Sequence, residues 1–389
     1  MKLYSLTLIF TGLLLYSCEG NSSSNSNGDL SRMDRVEIKD QRKIMTDSII
    51  EKIDYVKLGE TGDVLIGQVT DLLITPDHII VEDRWKAKTV FIFDRAGNSQ
   101  AVINRFGRGP QEYQDVSTIF LTPDQQTIGI VDNSMKKLLY FDLQGNFIKK
   151  RDLPFSCNRI EYLNDKTMLL ASDGWADKSP VLESYPNKND LLFFTDTTFQ
   201  IQKSAIVNPF DVTKFHMEPF ALKRFGDRFY ASKNYGDTIY QVTADEIYPR
   251  YWVDMTAVDG IANFANMSLD EIDEKKANHT SFFNIYTEAD NYAMFFLSDA
   301  QNKVFPVLFN KKTKQTYNIG FTSSSPLGIY VLHSKHSYKD QFISVIPAFQ
   351  FLTYCPDDVP GIELRNEIKE GLTDEDNPVL LFYTLKDPE

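Results

Sequence analysis

The feature that most constrains the fold is a repeat with a period of about 48 residues in the first half of the chain. The matching elements lie 47 to 49 residues apart. A fixed period of this length, with several short strands per unit, is typical of a propeller blade, a four-stranded sheet that buries its faces against its neighbours. Thr-Pro-Asp occurs at 75–77 and 122–124, Asp at 83 and 132, Phe-Asp at 93–94 and 141–142, and Gly-Asn at 97–98 and 145–146.

The turn residues of the repeat fit short antiparallel strands. The prolines preset the backbone φ angle between the first two strands, and the glycines tolerate the positive φ angle of a hairpin between the last two. Asp83, Asp132 and Asp237 recur near the turn between the second and third strands, where we expect them to cap the turn. The 28 Phe and 19 Tyr also favour pleated sheets.

Extending the pattern predicts four strands per blade, named a to d from the axis outward. They lie at 69–74, 79–83, 89–94 and 99–103 in blade 1; 115–121, 127–131, 137–142 and 146–151 in blade 2; 158–163, 167–172, 190–196 and 200–207 in blade 3; 219–225, 228–234, 238–243 and 246–254 in blade 4; and 283–289, 292–298, 303–310 and 314–320 in blade 5.

Blade 6 has only three strands of its own, at 327–333, 341–347 and 378–386. The orphan strand 53–58 is expected to dock outside 378–386, which closes the ring and removes its open edges. The predicted fold is therefore all-β: one six-bladed β-propeller of four-stranded antiparallel blades over residues 45–389, closed by an N-terminal strand that completes the last blade.

The N-terminus has the pattern of a secreted, anchored protein. Lys2 precedes a short apolar run, and Ser17-Cys18 at its end resembles a bacterial lipobox. We expect 1–17 to be a lipoprotein signal peptide, Cys18 to be lipidated, and 18–44 to be a polar tether; a plain signal peptide is the alternative. The expected location is the cell envelope, as an outer-membrane lipoprotein facing the periplasm or the cell surface.

Charge and cysteine content limit the partners. The formal net charge is −13, which argues against nucleic acid, because phosphate neutralisation needs clustered Lys and Arg. In an oxidising compartment Cys157 and Cys355 either pair or remain two separate thiols.

Several segments resemble a known family. Phe106–Tyr113, Val131–Asn133 and Leu139–Asn146 resemble an NHL repeat, and with Tyr235–Tyr240 and Asp376–Tyr383 the chain resembles the six-bladed, TolB-like propeller lipoproteins of Bacteroidetes. The resemblance covers about residues 45–389 and implies architecture and compartment without a reaction. Since rings of this kind often hold calcium in their axial channel, an axial calcium ion is the one cofactor that the resemblance allows, and otherwise no cofactor is predicted.

Three long insertions point to one working face. Segments 173–189, 255–282 and 348–377 all follow strand b or strand d, so they emerge at the same end of the propeller, where binding sites usually lie. Ser268 and Glu271 have capping-box spacing, which predicts a short helix that either roofs the channel or lies on the surface.

The loop entering blade 2 supplies the first candidate residues. Arg105 and Arg108 are candidates for binding a carboxylate or sulfate, Glu112 for an acid or base, and Tyr113 for stacking on a sugar ring. The structural interpretation, which we favour, is that Glu112 hydrogen-bonds backbone amides of a turn shaped by Gly and Pro.

Other candidates are aromatic or metal-like. Trp85 and Trp175 lie in b-to-c loops of the working face, where each either contacts a ligand or packs in the core. His333 and His336 have a metal-like spacing, but on a strand they point to opposite faces, so no metal site is predicted.

The function predicted from these features is a lipid-anchored binding module. Its loop-rich face would bind a glycan, a peptide or an envelope protein, with Cys18 as the membrane attachment. The alternatives are a hydrolase or lyase with its site at the channel mouth, and a structural envelope protein. The sequence contains no Gly-x-Ser-x-Gly elbow, Cys-x-x-Cys pair or P-loop, so a binding module is favoured over an enzyme.

Overall fold

Six sheets surround a central axis in the computed structural model, which describes residues 30–39, 43–172, 179–207, 220–233, 236–264, 267–320, 334–353 and 362–388. Strands a of neighbouring blades lie against one another around the axis. The predicted six-bladed propeller of four-stranded antiparallel blades is confirmed. Strands a to d are Asp71–Ile74, His78–Asp83, Thr89–Asp94 and Ser99–Ile103 in blade 1; Thr118–Leu121, Thr127–Asp132, Lys137–Asp142 and Phe147–Asp152 in blade 2; and Cys157–Tyr162, Thr167–Ser172, Asp190–Asp196 and Ile201–Val207 in blade 3.

The second half of the ring follows the same order. Strands a to d are Phe220–Phe225, Arg228–Lys233, Thr238–Val242 and Ile247–Asp254 in blade 4; Ser281–Glu288, Tyr292–Ser298, Val304–Asn310 and Thr316–Gly320 in blade 5; and Ser334–Tyr338, Gln341–Ile346, Val379–Leu385 and Ile50–Lys57 in blade 6. Strand a of blade 6 begins just after the predicted 327–333, which lies outside the described residues.

The N-terminal strand closes the ring as predicted. Ile50–Lys57 pairs antiparallel with Val379–Leu385, from Ile50 opposite Leu385 to Lys57 opposite Val379. The next blade locks this strand in place, because the amide of Gly59 donates to the carbonyl oxygen of Gly97 at 2.8 Å. A Cβ atom on Gly97 would lie 2.1 Å from the carbonyl oxygen of Lys57, so this junction needs glycine.

Two further strands precede the closing strand. Asp34–Glu37 pairs parallel with the outer strand of blade 4, and Ile44–Met45 pairs parallel with the outer strand of blade 5. Val36 is fully buried, and Asp34 lies 2.7 Å from a guanidinium nitrogen of Arg250. The later part of the stretch that we expected to be a tether therefore packs on the propeller.

Hydrophobic packing lies between the blades. Among the described residues, six buried clusters join the six pairs of neighbouring blades around the ring. Strands b and c are buried along most of their length, as in Ile79–Asp83 and Leu138–Phe141. This explains why their sequences are apolar runs with little alternation.

Aspartates organise the turns. In the c-to-d hairpins, Asp94 accepts from the side-chain amide of Asn98, and Asp142 from that of Asn146. Each also accepts two backbone N–H bonds. Although burial opposes the charge, most strongly at Asp142, these bonds lower the pKa of both carboxyls. Asp83 accepts from the amide of Lys86 in the b-to-c turn at 2.8 Å, and Asp132 accepts from the amide of Met135 at 3.0 Å. The predicted capping role of Asp83 and Asp132 is confirmed.

The helices lie mainly in the insertions of the predicted working face. Ser268 and Glu271 form the predicted capping box of the helix Leu269–Asn278. None of the helices in the described ranges is long and apolar enough to cross a membrane. The short helices are Leu30–Arg32 and Thr256–Val258, both 3₁₀, with the α-helices Thr46–Ile49, Pro180–Glu183, Ala348–Thr353 and Ile362–Glu370.

Candidate functional site

A cavity of about 580 Å³ lies on the propeller axis, and we call it the axial cavity. Strands a of all six blades, or the residues just before them, contribute to its wall. Most wall positions are at the start of strand a or the end of strand b, so the cavity lies at the loop-rich end of the axis. Its wall consists of Gln68, Val69, Thr70, Asp71, Glu82, Arg84, Trp85, Ser117, Thr118, Asn158, Arg159, Leu222, Lys223, Arg224, Phe225, Ile285, Tyr286, Phe296, Ser334, Lys335 and His336.

An ion-pair network centred on Arg159 crosses one side of the cavity. Its guanidinium lies 2.7 Å from Asp71 of blade 1 and 2.8 Å from Glu161, two residues along its own strand. Although burial opposes the charge, Asp71 and Glu161 hold the pKa of Arg159 above its usual value. Arg224 of blade 4 approaches the same Glu161 at 3.6 Å. The network therefore ties blades 1, 3 and 4 together across the axis.

Two lysines face the cavity without such partners. Lys223 of blade 4 donates to the carbonyl oxygen of Tyr286 at 2.8 Å. Lys335 of blade 6 is exposed toward the same space. Within the described ranges, neither ammonium group has a carboxylate within ion-pair distance.

Burial and these charges shift several pKa values. Burial, followed by repulsion from Lys335 and Arg159, lowers the pKa of Lys223 to about 7. Burial, reinforced by the nearby Asp71, raises the pKa of Glu82 to about 7. Burial also lowers the pKa of His336 to about 4, although Asp71 partly opposes this. The charge of the cavity therefore changes around neutral pH.

Trp85 lies at the rim of the axial cavity and is 59% exposed. The guanidinium carbon of Arg84 lies 4.4 Å from the centre of a Trp85 ring. A flat apolar surface beside a cation suits a ligand that has both a ring or chain and a charge. Trp175, the other predicted aromatic, lies outside the described residues.

In the loop from Arg105 to Tyr113, the polar groups of Glu112 and Tyr113 are used in hydrogen bonds within the protein. A carboxylate oxygen of Glu112 accepts from the amide of Gly109 at 2.7 Å, and a Cβ atom on Gly107 would lie 2.0 Å from that oxygen. Tyr113 is fully buried, with its hydroxyl 2.7 Å from the carbonyl oxygen of Ile103 and 2.9 Å from that of Lys88.

The two arginines of this loop, Arg105 and Arg108, are exposed. Arg105, Arg108, Glu112 and Tyr113 are all absent from the wall of the axial cavity. These contacts support the structural interpretation of the loop, and its role in ligand binding stays a prediction.

The histidines and cysteines singled out in the sequence are only partly described by the structure. His336 contributes to the axial cavity, whereas His333 lies outside the described residues, as do Cys18 and Cys355. Cys157 is buried. The part of the chain that the structure describes contains no group of three or more His, Cys, Asp or Glu side chains placed to share a metal ion. An axial calcium ion stays a prediction.

A second cavity of about 320 Å³ lies between blades 4 and 5, near the opposite end of the axis, and we call it the inter-blade cavity. Here each of the four cationic side chains of the wall has a carboxylate within ion-pair distance. The side chain of Glu288 is fully buried and lies 3.4 Å from Arg228 and 2.5 Å from Lys311. Arg32 lies 2.6 Å from Glu246. This cavity therefore resembles a charged structural core.

Comparisons with known proteins agree with the architecture. The model of a family described as a domain of unknown function, DUF4934, matches residues 32–384, and the chain belongs to this family. No functionally curated protein matches the sequence.

Two solved structures share the fold. A predicted exported protein from Bacteroides fragilis NCTC 9343 is 19% identical, with a TM-score of 0.72 over 91% of this chain and 100% of that one. A DUF4221 family member from Bacteroides vulgatus ATCC 8482 is 13% identical, with a TM-score of 0.51 over 88% of this chain and 99% of that one. At these identities the two structures support the fold alone.

Proposed function

We propose that this member of the DUF4934 family is a ligand-binding module of the bacterial cell envelope and that the axial cavity is its binding site. The observation that carries the proposal is a cavity of about 580 Å³ at the loop-rich end of the axis, with polar and charged side chains converging from several blades. Ligand sites of small molecules have volumes in this range and combine a few placed polar groups with apolar surface. A glycan, a peptide or a segment of an envelope protein is the expected class of ligand.

The envelope location has separate support. The structural neighbour from Bacteroides fragilis is a predicted exported protein. The proposed route is the signal peptide at 1–17 with lipidation of Cys18, as in the TolB-like propeller lipoproteins that the sequence resembles. Substituting Cys18→Ala should abolish metabolic labelling with palmitate and release the protein from membranes. Labelling that persists in this variant would contradict the anchor.

A small set of variants tests the binding function. The purified protein is screened by thermal shift against neutral and acidic glycans and peptides, and each hit is measured by calorimetry. Trp85→Ala removes the aromatic rim, and Asn158→Trp fills part of the cavity, so both should weaken binding at least tenfold. Asn278→Trp, at the end of the helix Leu269–Asn278, is the matched control and should bind normally. Equal binding by all three variants would rule out the axial cavity as the site.

One observation favours an enzyme as a second candidate. Glu82 lines the cavity, has a pKa raised to about 7 by burial and by Asp71, and has one buried carboxylate oxygen without a hydrogen bond among the described residues. A carboxylic acid of this pKa suits general acid catalysis in a hydrolase or lyase. If the ligands found above are turned over, Glu82→Gln should lower kcat by at least a hundredfold with little change in affinity. Unchanged turnover in this variant would exclude Glu82.

A further inference from the structure

The axial cavity has an excess of positive charge. Five cationic side chains line it, those of Arg84, Arg159, Lys223, Arg224 and Lys335, against the two carboxylates of Asp71 and Glu82. The chain as a whole has a net charge of −13, so this excess is local and opposite in sign to that of the protein. A concave site of one sign attracts ligands of the other sign.

The nearby carboxylates are already committed to arginines. Asp71 and Glu161 both contact Arg159, and Glu161 also faces Arg224. Asp115 lies 4.0 Å from Arg84. The residual charge therefore resides mainly on the two lysines.

Lys223 and Lys335 reach the cavity from different blades. They lie in strands a of blades 4 and 6, and both strands border the same space on the axis. The ammonium group of Lys223 has three N–H donors, and only the carbonyl oxygen of Tyr286 accepts from it among the described residues. A half-buried cation with unused donors is costly unless an anion approaches it.

Building on the proposed function, we propose that the axial cavity binds a ligand carrying a carboxylate or sulfate group, held between the ammonium groups of Lys223 and Lys335. The rest of the ligand extends toward Trp85 and Arg84 at the rim. Both lysines act as point charges with rotatable donors, so they accept either kind of anion. The bound anion supplies the counter-charge that the described protein groups do not.

Binding should depend on pH in a way that ordinary lysines would not produce. Lys223, with a pKa of about 7, loses its charge between pH 6 and 8, and Glu82 gains a negative charge in the same range. Lys335 and Arg159 repel the Lys223 ammonium group, and the neighbouring His336, with a pKa of about 4, stays neutral in this range. Affinity for an anion should therefore fall as the pH rises through 7, and the anion should bind together with a proton.

Calorimetry with the full chain at pH 6.5 tests the proposal. The probes are sodium sulfate, D-glucuronate and D-glucose, where glucose is the neutral counterpart of glucuronate. We expect sulfate and glucuronate to bind and glucose to bind at least tenfold more weakly. Lys223→Met and Lys335→Met should each weaken anion binding at least tenfold, whereas Lys303→Met, an exposed lysine on blade 5, should change it less than twofold. Circular dichroism confirms that each variant is folded.

A pH series separates the two titrating groups. Between pH 6 and 8 the affinity of the wild type for the anion should fall about tenfold. Lys223→Arg, which keeps its charge, should reduce that fall, and Glu82→Gln, which cannot titrate, removes the contribution of Glu82 to it. If glucose and glucuronate bind equally and Trp85→Ala weakens both, the cavity binds ligands but the anion proposal is wrong. If no probe binds and the wider ligand screen also fails, the proposed function is wrong as well.

Discussion

The two cavities of this propeller are built from the same kinds of side chain but differ in charge balance. In the inter-blade cavity, Glu288 is enclosed by Arg228 and Lys311, so the buried charges compensate one another. In the axial cavity, Lys223 and Lys335 lack such carboxylates among the described residues. Matched buried charges serve the fold, whereas a cation in a cavity without a counter-ion lowers stability and indicates a site for a ligand.

Removing the central carboxylate should damage the matched cavity most. Glu288→Gln leaves Arg228 and Lys311 partly buried without their shared counter-ion, so we expect a loss of about 3–5 kcal/mol in the free energy of unfolding, measured by urea denaturation. Glu183→Gln breaks an exposed pair with Lys188 and should change stability by less than about 0.5 kcal/mol. Equal stability of the two variants would break the comparison.

His336 in the axial cavity should make the protein sensitive to acid. Its pKa is about 4 in the folded chain, below the usual value of 6.5, so between these values the unfolded chain binds a proton that the folded chain does not. Stability from this group is therefore present at neutral pH and lost as the pH falls from 6.5 to 4, by up to about 3 kcal/mol.

Substituting His336→Gln should remove this part of the acid sensitivity. Urea denaturation at pH 7, 5.5 and 4.5 measures it, and His78→Gln in blade 1, outside the axial cavity, is the control. The same dependence on pH in wild type and His336→Gln would contradict the prediction.

Removing a charge that has no counter-ion should raise the stability of the protein, whereas removing a paired charge lowers it. Lys223→Met is expected to stabilise the ligand-free protein at pH 7 by about 1–2 kcal/mol, because a half-buried ammonium without a carboxylate is replaced by an apolar side chain. The wild type should gain stability as the pH rises from about 7 toward 10.5, since only its unfolded chain stays protonated there, and the advantage of the variant should shrink. Thermal and urea unfolding across this range measure it, and a destabilised variant would show that Lys223 is already compensated.

In the loop before blade 2, removing a buried group that has partners should also lower stability, by less than in the inter-blade cavity. Tyr113→Phe removes a buried hydroxyl that lies within hydrogen-bond distance of the carbonyl oxygens of Lys88 and Ile103, so we expect a loss of about 1 kcal/mol. Ligand binding should be unchanged. Tyr317→Phe, whose hydroxyl makes an exposed bond to Gln315, is the control and should have almost no effect on stability. A loss of binding in Tyr113→Phe would assign the loop to the site.

Sequence reasoning recovered the fold because its signals are local. The c-to-d hairpin with Asp94 and Gly97 recurs as Asp142 and Gly145, and each copy satisfies its own backbone within five residues. The closing strand was predictable because blade 6 lacked a partner. The strand Asp34–Glu37 was missed, since it is short, lies in a polar stretch and pairs with blade 4 more than 200 residues away.

The axial cavity could not be predicted from the sequence, because the residues that form it are far apart in the chain. Arg159, Lys223 and Lys335 lie on different blades, and no short pattern links one to the next. The loop with Glu112 and Tyr113 was predicted as a site because its residues are adjacent in the chain. Its polar groups already have partners within the protein: Glu112 accepts from Gly109, and the Tyr113 hydroxyl lies beside backbone carbonyl oxygens. Of the predicted ligand contacts, Trp85 alone among the described ones lies in the cavity wall. The sequence signal for this site is the set of charged residues on the six a strands, which only the predicted propeller brings together at the axis.

The parallel strand Asp34–Glu37 also fixes an orientation. It runs beside the outer strand of blade 4 toward the loop-rich end, and Arg32 just before it contacts Glu246 at the c-to-d turn. The chain therefore enters the propeller at the end opposite the axial cavity. If Cys18 carries the proposed lipid, the chain passes from the lipid to the propeller at this end, and the mouth of the axial cavity lies at the other end of the axis.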